Sequence, residues 1–208
     1  MFDSGIFAHD LIEQIKSEAD IAPDITDESY IQWLNAVEQL LYSEVIKEQK
    51  AIMLHSTYSH IGMDSITDEF TDANEGDIRF EDIHAVYVDG RQLIKSTVAS
   101  GVFFPYSYCK EGNALKINFG PDDGTAVPDR TVRIVYFVKP KLKTESNIAT
   151  ETVKVPVEFI DLVKAKLRGE AYKVANEDDV AAKWLNDYNV LLETFKLWLS
   201  EKQPTFGM

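Results

Sequence analysis

Two stretches of this chain carry side chains that could bind a metal ion. His55 and His60 are five positions apart, whereas paired histidine ligands usually lie four positions apart on a helix or two apart on a strand. The acidic stretch 72–77 begins like a calcium-binding loop, but Gly76 stands where that motif needs a fifth-position ligand. We therefore expect no metal site, and we expect residues 64–77 to form a polar, acidic loop.

A cysteine nucleophile is the other candidate for chemistry. Cys109 is the single cysteine of the chain, and the adjacent Lys110 is the kind of neighbour that can activate a thiol. No histidine lies near it in the sequence, so we expect Cys109 to be buried or half-buried. The chain also lacks a phosphate-binding glycine loop, a nucleophile elbow and a paired-cysteine motif. We predict that the protein is not an enzyme and binds no cofactor; the open alternative is a small soluble metal-dependent enzyme built from scattered acids.

The charge of the chain is negative and unevenly distributed. Its 208 residues carry a net charge of −14, and residues 1–89 alone hold twenty acidic and four basic residues. An acidic chain repels phosphate backbones at long range, so we expect no affinity for duplex DNA. Hydrophobic residues make up 45% of the chain, as in ordinary globular proteins. No apolar run approaches the roughly eighteen residues of a membrane span, which predicts no transmembrane helix.

Apolar residues recur at helical spacing in both terminal parts of the chain. On either side of the short polar turn 175–179 they predict an antiparallel helical hairpin over residues 153–201. A similar stripe predicts a helix over residues 27–50, capped at its N-terminus by Thr26 or Asp27. A short first helix precedes it.

Between the helices the pattern changes to that of strands. Residues 131–138 are rich in β-branched and aromatic side chains, and the Asp89-Gly90 dipeptide predicts a tight turn. We therefore predict an α+β fold: a helical bundle of N-terminal helices and a C-terminal antiparallel helical hairpin, with an inserted small antiparallel β region. The predicted single domain, residues 1–208, consists of N-terminal helices (1–50), a β-rich insertion (51–152, with the acidic loop 64–77), the hairpin (153–201) and a tail (202–208).

Three segments of the sequence follow one another in an order typical of one protein family. They are Ile25–Asn35, which contains Trp-Leu-Asn; the strand-rich region Asp82–Val138; and Val155–Phe159 followed by Ala171-Tyr172, Glu177–Ala181, Trp184 and Tyr188. This pattern resembles the head-to-tail connector, or adaptor, proteins of tailed bacteriophages.

The resemblance implies a structural protein of the virion, assembled in the host bacterial cytoplasm and located at the head–tail interface. Such proteins form a homo-oligomeric ring, usually of twelve copies, between the portal protein and the tail or further connector proteins. The ring extends the DNA channel and provides a platform for tail attachment, and genomic DNA passes through it without specific binding. No membrane is involved. An alternative within the same class is another structural adaptor, such as a tail-completion factor.

Two sets of residues are candidates for contacts in such an assembly. We expect an acidic set to face the DNA channel or a basic partner, because carboxylates repel DNA that must slide past them. A second set carries aromatic side chains that could anchor a neighbouring subunit. The acidic set is Asp64, Asp68, Glu69, Asp72, Glu75 and Asp77, and the aromatic set is Trp198 and Phe206.

Overall fold

The structure is a computed structural model, and it divides the chain into two compact units. The helical unit comprises Met1–Met53 and Lys139–Met208, and the β unit comprises Leu54–Val138. The predicted α+β fold with a terminal helical hairpin is confirmed. The structure describes residues 3–18, 25–48, 54–62, 71–72, 76–77, 83–96, 106–111, 114–118, 130–137 and 140–202.

Four α-helices form the described part of the helical unit: α1 (Ala8–Glu18), α2 (Asp27–Lys47), α3 (Ile160–Val174) and α4 (Asp178–Lys202). The predicted cap of α2 is present, since the Thr26 side chain accepts a hydrogen bond from the backbone N–H of Ser29. None of these described helices combines the length and hydropathy needed to cross a bilayer.

Helix α3 is the centre of the helical unit. It packs against α1, α2 and α4, and its buried residues lie on more than one side of the helix rather than along one narrow stripe. A short 3-10 turn, Val157–Phe159, leads into it directly after Pro156. The buried residues of α3 are Leu162, Val163, Ala165, Leu167, Gly169 and Ala171.

The α3–α4 hairpin depends on one close approach between its helices. A Cβ atom placed on Gly169 would lie 2.7 Å from both Cγ and Cδ2 of Leu185 and 3.3 Å from the Leu185 backbone nitrogen. At the other end of the hairpin, the Phe159 ring lies edge-on to Phe195 and Trp198, with centroids 5.1 and 5.3 Å away. The hairpin is therefore held by apolar and aromatic packing along its length.

The described part of the β unit contains nine short strands in three sheets. Strands β1 (Leu54–Gly62), β9 (Arg130–Phe137), β4 (Ile83–Val88) and β5 (Arg91–Gln92) form an antiparallel sheet in that order. A second pairing joins β2 (Thr71–Asp72) to β3 (Gly76–Asp77), and a third sheet has the order β6 (Ile94–Lys95), β7 (Ser107–Glu111) and β8 (Ala114–Asn118). The region is antiparallel as predicted, except that β6 pairs with β7 in parallel.

The predicted turn at Asp89-Gly90 joins β4 to β5. Both residues have positive φ angles, 50° and 81°, which is the geometry that a two-residue hairpin loop needs. The Asp89 carboxylate also accepts a hydrogen bond of 3.0 Å from the backbone N–H of Thr131 on β9. The turn is thereby attached to the central strand of its sheet.

The β unit is shorter than the predicted β-rich insertion, which extends to residue 152. The β unit ends at Val138, and the chain that follows belongs to the helical unit. Residues 141–152 look like a polar connector in the sequence because their side chains are polar and show no periodicity. In the structure this segment is instead attached to the helices by hydrogen bonds and a buried ion pair.

Candidate functional site

The segment 140–156, which we call the strap, is attached to the start of the chain by backbone hydrogen bonds. The amide of Ala8 donates to the carbonyl of Glu151 at 2.9 Å, and that of His9 donates to Ile148 at 3.3 Å. These are N–H groups of the first turn of α1, which have no partner within their own helix. An isolated bridge between Phe7 and Thr152 extends the pairing. The strap therefore caps α1.

The strap is also attached to α2, through the side chain of Asn35. Its Nδ2 donates to the carbonyl of Lys143 and its Oδ1 accepts from the amide of Lys143, both at 2.9 Å. Only a primary amide can donate and accept in this way from one planar group. Asn35 belongs to the Trp-Leu-Asn sequence of the first segment in the connector resemblance, and here it acts as an edge partner for the strap backbone.

One turn further along α2, Glu38 forms a buried ion pair with the strap. Its carboxylate is bonded to Nζ of Lys143 through one oxygen, and it accepts a 2.7 Å hydrogen bond from the backbone N–H of Lys154 through the other. Both side chains are inaccessible to solvent, at 1% and 0% exposure. Burial raises the pKa of Glu38, and the Lys143 ammonium and the Lys154 amide oppose that rise.

The sequence itself contains a signal for this pair. Glu38 lies within the apolar stripe of α2, beside Leu34, Val37 and Leu41, and is buried with them. A buried carboxylate requires a partner because isolated charges are almost never buried. The position of Glu38 therefore predicts a buried cation elsewhere in the chain, although it does not say which one.

An open groove of about 500 Å³ runs along the seam between α3 and α4. The guanidinium of Arg168 lies over the Trp184 ring, 4.7 Å from its centroid, which is a cation–π arrangement. The groove holds charges of both signs, and its geometry is that of a surface between two helices rather than a deep cleft. Its lining residues are Asp161, Lys164, Ala165, Arg168, Trp184, Asp187, Val190 and Leu191.

Two of the six acidic residues that the sequence singled out lie on described strands. Asp72 and Asp77 lie on the paired strands β2 and β3, where Thr71 is opposite Asp77 and Asp72 is opposite Gly76. The other acidic candidates, Asp64, Asp68, Glu69 and Glu75, lie outside the described residues. Their expected position at a channel or partner surface stays a prediction.

The aromatic candidates have different outcomes. Trp198 is half-buried inside its own protomer, stacked on Phe195 with centroids 5.8 Å apart and edge-on to Phe159. This packing gives Trp198 a role within the hairpin, and its expected contact with a neighbouring subunit stays a prediction. Phe206 lies outside the described residues, and its expected contact with a neighbour stays a prediction.

Within the described part of the chain, the residues with potential for chemistry lie on different elements. The expected burial of Cys109 is confirmed, since the residue is 2% exposed on β7. Beside it, burial raises the pKa of Tyr108 to about 12, so its hydroxyl stays protonated at neutral pH. His55 and His60 both lie on β1. Among the residues that the structure describes, no three His, Cys, Asp or Glu side chains are grouped in a way that could hold a metal ion.

The comparison with known proteins gives no assignment. No protein-family model matches the chain, and no curated protein is similar enough in sequence to match it. The function is therefore argued from the sequence pattern and from the geometry of the two units.

Proposed function

We propose that the protein is a head-to-tail connector of a tailed bacteriophage. It forms a ring of identical copies, usually twelve in this class, between the portal and the tail. In this role it extends the DNA channel and provides the surface on which tail or further connector proteins assemble. The protein acts mechanically, and genomic DNA passes through the ring without specific binding.

The main support for the proposal is that residues from the segments that resemble connector proteins make contacts within the helical unit. Asn35, from the first segment, holds the strap against α2. Phe159, from the third segment, sits at the start of α3 within the aromatic cluster. The ring of Tyr188 from the same segment lies 5.3 Å from Nζ of Lys166 across the hairpin. Residues that are distant in the sequence and match the connector pattern thus assemble one helical unit, as expected if the resemblance reflects a shared architecture.

Charge supports the same role. A ring through which DNA slides must not bind the phosphate backbone tightly, because each neutralised phosphate adds affinity through counterion release. A chain with a net charge of −14 meets that requirement, since its carboxylates repel the backbone. The acidic residues of the 64–77 region are the proposed channel- or partner-facing group.

The direct test is assembly with a portal. Purified protein should form rings visible by negative-stain electron microscopy, alone at high concentration or when it meets its portal protein. A chain that stays monomeric under both conditions would contradict the proposal and would favour another adaptor role or a soluble enzyme.

A second test addresses the acidic region in assembled particles. Reversing Asp64, Asp68, Glu69 and Asp72 to lysine should impair DNA retention, DNA ejection or ring docking, because the lysines would attract the DNA that carboxylates repel. The matched control reverses four exposed acids of the helical unit, Asp10, Glu48, Glu145 and Glu177, which changes net charge by the same amount. Normal infectivity of the first variant, or equal loss in both, would contradict the role assigned to this region.

A further inference from the structure

Two exposed helix faces in the helical unit have the same spacing over five of their six residues. One, the α2 face, is formed by six exposed residues: Glu28, Gln32, Ala36, Leu40, Ser43 and Lys47. The other, the α4 face, is also formed by six exposed residues: Lys183, Asn186, Val190, Thr194, Leu197 and Glu201. In each face the residues recur every three or four positions, so they lie along one side of their helix.

The α4 face exposes aliphatic side chains that the protomer does not cover. Val190 and Leu197 are each 59% exposed, and Leu40 on the α2 face is 37% exposed. The other residues of both faces are small or polar. The α4 face is therefore a narrow strip with two exposed aliphatic side chains and charged ends, whereas the α2 face is mostly small and polar with Leu40 as its one large aliphatic side chain. Each face extends over about 28 Å at 1.5 Å per residue.

The two faces are complementary when they are placed in parallel. In a single register the aliphatic residues all meet small ones: Val190 opposite Ala36, Leu40 opposite Thr194, and Leu197 opposite Ser43. In the same register the amides of Gln32 and Asn186 meet and Lys47 pairs with Glu201, while Lys183 lies one position beyond the residue directly opposite Glu28. An antiparallel arrangement of the same faces would instead set Glu28 against Glu201 and Lys47 against Lys183, and like charges across an interface are unfavourable.

The small polar residues can be covered without losing hydrogen bonds. The Ser43 hydroxyl donates to the carbonyl of Leu40 at 2.7 Å, and the Thr194 hydroxyl donates to the carbonyl of Val190 at 2.9 Å. Each hydroxyl is thus satisfied by its own helix. Covering it with an aliphatic side chain leaves no unpaired donor, which is the usual cost of burying a polar group.

The helix directions within one protomer permit such a contact in a ring. The short turn makes α4 antiparallel to α3. Tyr30 at the start of α2 lies near Tyr172 at the end of α3, and Glu44 in the last turn of α2 lies near Lys196 towards the end of α4. Helices α2 and α4 therefore run in the same direction. In a cyclic ring neighbouring copies keep a common direction along the axis, and two different faces meet in a head-to-tail contact. Pairing of α2 with α2, or α4 with α4, would need a two-fold axis and would close as a dimer.

We propose that the α4 face of one copy docks in parallel on the α2 face of the next copy, and that this contact joins the subunits of the ring. The inference rests on the proposed function for the existence of the ring, and it names the surfaces that build it. The occupant of each face is a second copy of this chain.

Cysteine cross-linking tests the contact. The variants Ser43→Cys and Leu197→Cys are purified separately, brought to conditions in which the unmodified chain assembles, and oxidised mildly. Disulfide-linked dimers should form in the mixture and not in either variant alone, and the double variant should give a ladder of linked subunits. Ser146→Cys, at an exposed turn of the strap, is the control and should not cross-link with either variant. The native thiol, Cys109, is buried.

Charge exchange supplies a readout that does not depend on cysteine geometry. Lys47→Glu and Glu201→Lys should each raise the concentration needed for half-assembly by about three- to tenfold, which is the range of a modest interfacial charge pair. The double variant should return toward the unmodified value, because the pair is restored with reversed sign.

The outcomes separate this inference from the proposed function. Rings that form without cross-linking in the mixture, or without rescue by the double variant, would overturn the docking contact and leave the connector proposal intact. Cross-linking of Ser43→Cys alone would identify a two-fold α2 contact and would also overturn it. If the unmodified chain never assembles, alone or with a portal, both proposals fail.

Discussion

The strap and the α3–α4 hairpin are held in place by different interactions. The strap is attached by backbone hydrogen bonds, the Asn35 amide and the Glu38–Lys143 ion pair. The hairpin is held by side-chain packing, with Phe195 and Leu199 fully buried and Gly169 allowing the helices to approach. The helical unit therefore contains two kinds of attachment: directional, polar bonds that hold the strap, and nondirectional, apolar packing that holds the hairpin. Mutations should therefore affect these two regions with different magnitudes and different dependence on pH.

The largest effect should come from breaking the buried pair on the strap side. Lys143→Met removes the ammonium and leaves the Glu38 carboxylate buried with only the Lys154 amide as a partner. Loss of one member of a buried ion pair typically costs about 3–5 kcal/mol, because the remaining charge is uncompensated. Urea unfolding at neutral pH would measure the loss.

Two further variants make that comparison specific. The double variant Glu38→Gln with Lys143→Met should recover most of the stability, because the glutamine oxygen can still accept from Lys154 and no charge remains buried. On the hairpin, Lys166→Met breaks the partly exposed pair with Glu170 and should cost about 1 kcal/mol or less. Equal losses from Lys143→Met and Lys166→Met would contradict the contrast between the two regions.

The difference between the regions also explains what the sequence could predict. The hairpin and α2 were predicted correctly because their apolar residues repeat at helical spacing, and the Thr26 cap has a recognised local pattern. The attachment of the strap was not predicted, because it depends on single long-range pairs such as Asn35 with Lys143. Such pairs leave no periodicity, and a buried lysine looks the same in sequence as an exposed one.

The candidate site was predictable only in part, for the same reason. We predicted that Cys109 is buried because no histidine lies near it in the sequence, and the structure confirms this burial. The complementarity of the α2 and α4 faces could not be read from the sequence, because it depends on which residues remain exposed after α1, α2 and α4 have packed around α3. Exposure is a property of the assembled unit.

A smaller effect should come from closing the gap between α3 and α4. Gly169→Ala places a methyl group 2.7 Å from two atoms of Leu185, so the helices must move apart. Overpacking of this kind costs about 1–3 kcal/mol, whereas alanine gains about 1 kcal/mol of helix propensity over glycine. We expect a net loss of about 1 kcal/mol in the free energy of unfolding, measured by urea titration.

The destabilisation caused by Gly169→Ala should disappear or reverse when the Leu185 side chain is shortened. In a Leu185→Ala background the new methyl group no longer meets Cγ and Cδ2 of Leu185, so the propensity gain should dominate and Gly169→Ala should become neutral or stabilising. A double-mutant cycle measures the difference directly. If Gly169→Ala has the same effect in both backgrounds, the contact with Leu185 is not the reason that alanine is unfavourable at position 169.

The smallest effect, and the most specific to the strap, should be a dependence of stability on pH. Burial raises the pKa of Glu38 in the folded protein, so the folded state holds this proton more tightly than the unfolded state. The contribution of Glu38 is then fully favourable below the ordinary glutamate pKa of about 4.3 and is lost as the pH rises through the raised value. Unfolding free energies of the unmodified chain and of Glu38→Gln, compared from acid to neutral pH, should show the unmodified chain losing stability relative to the variant.

Two outcomes would contradict this expectation. If the difference in unfolding free energy between the two proteins is constant with pH, Lys143 and the Lys154 amide cancel the effect of burial on the pKa of Glu38. If the difference changes with the opposite slope, they outweigh that effect. Either result would contradict the expected direction of the shift, and the opposite slope would show that the ion pair favours the ionised carboxylate.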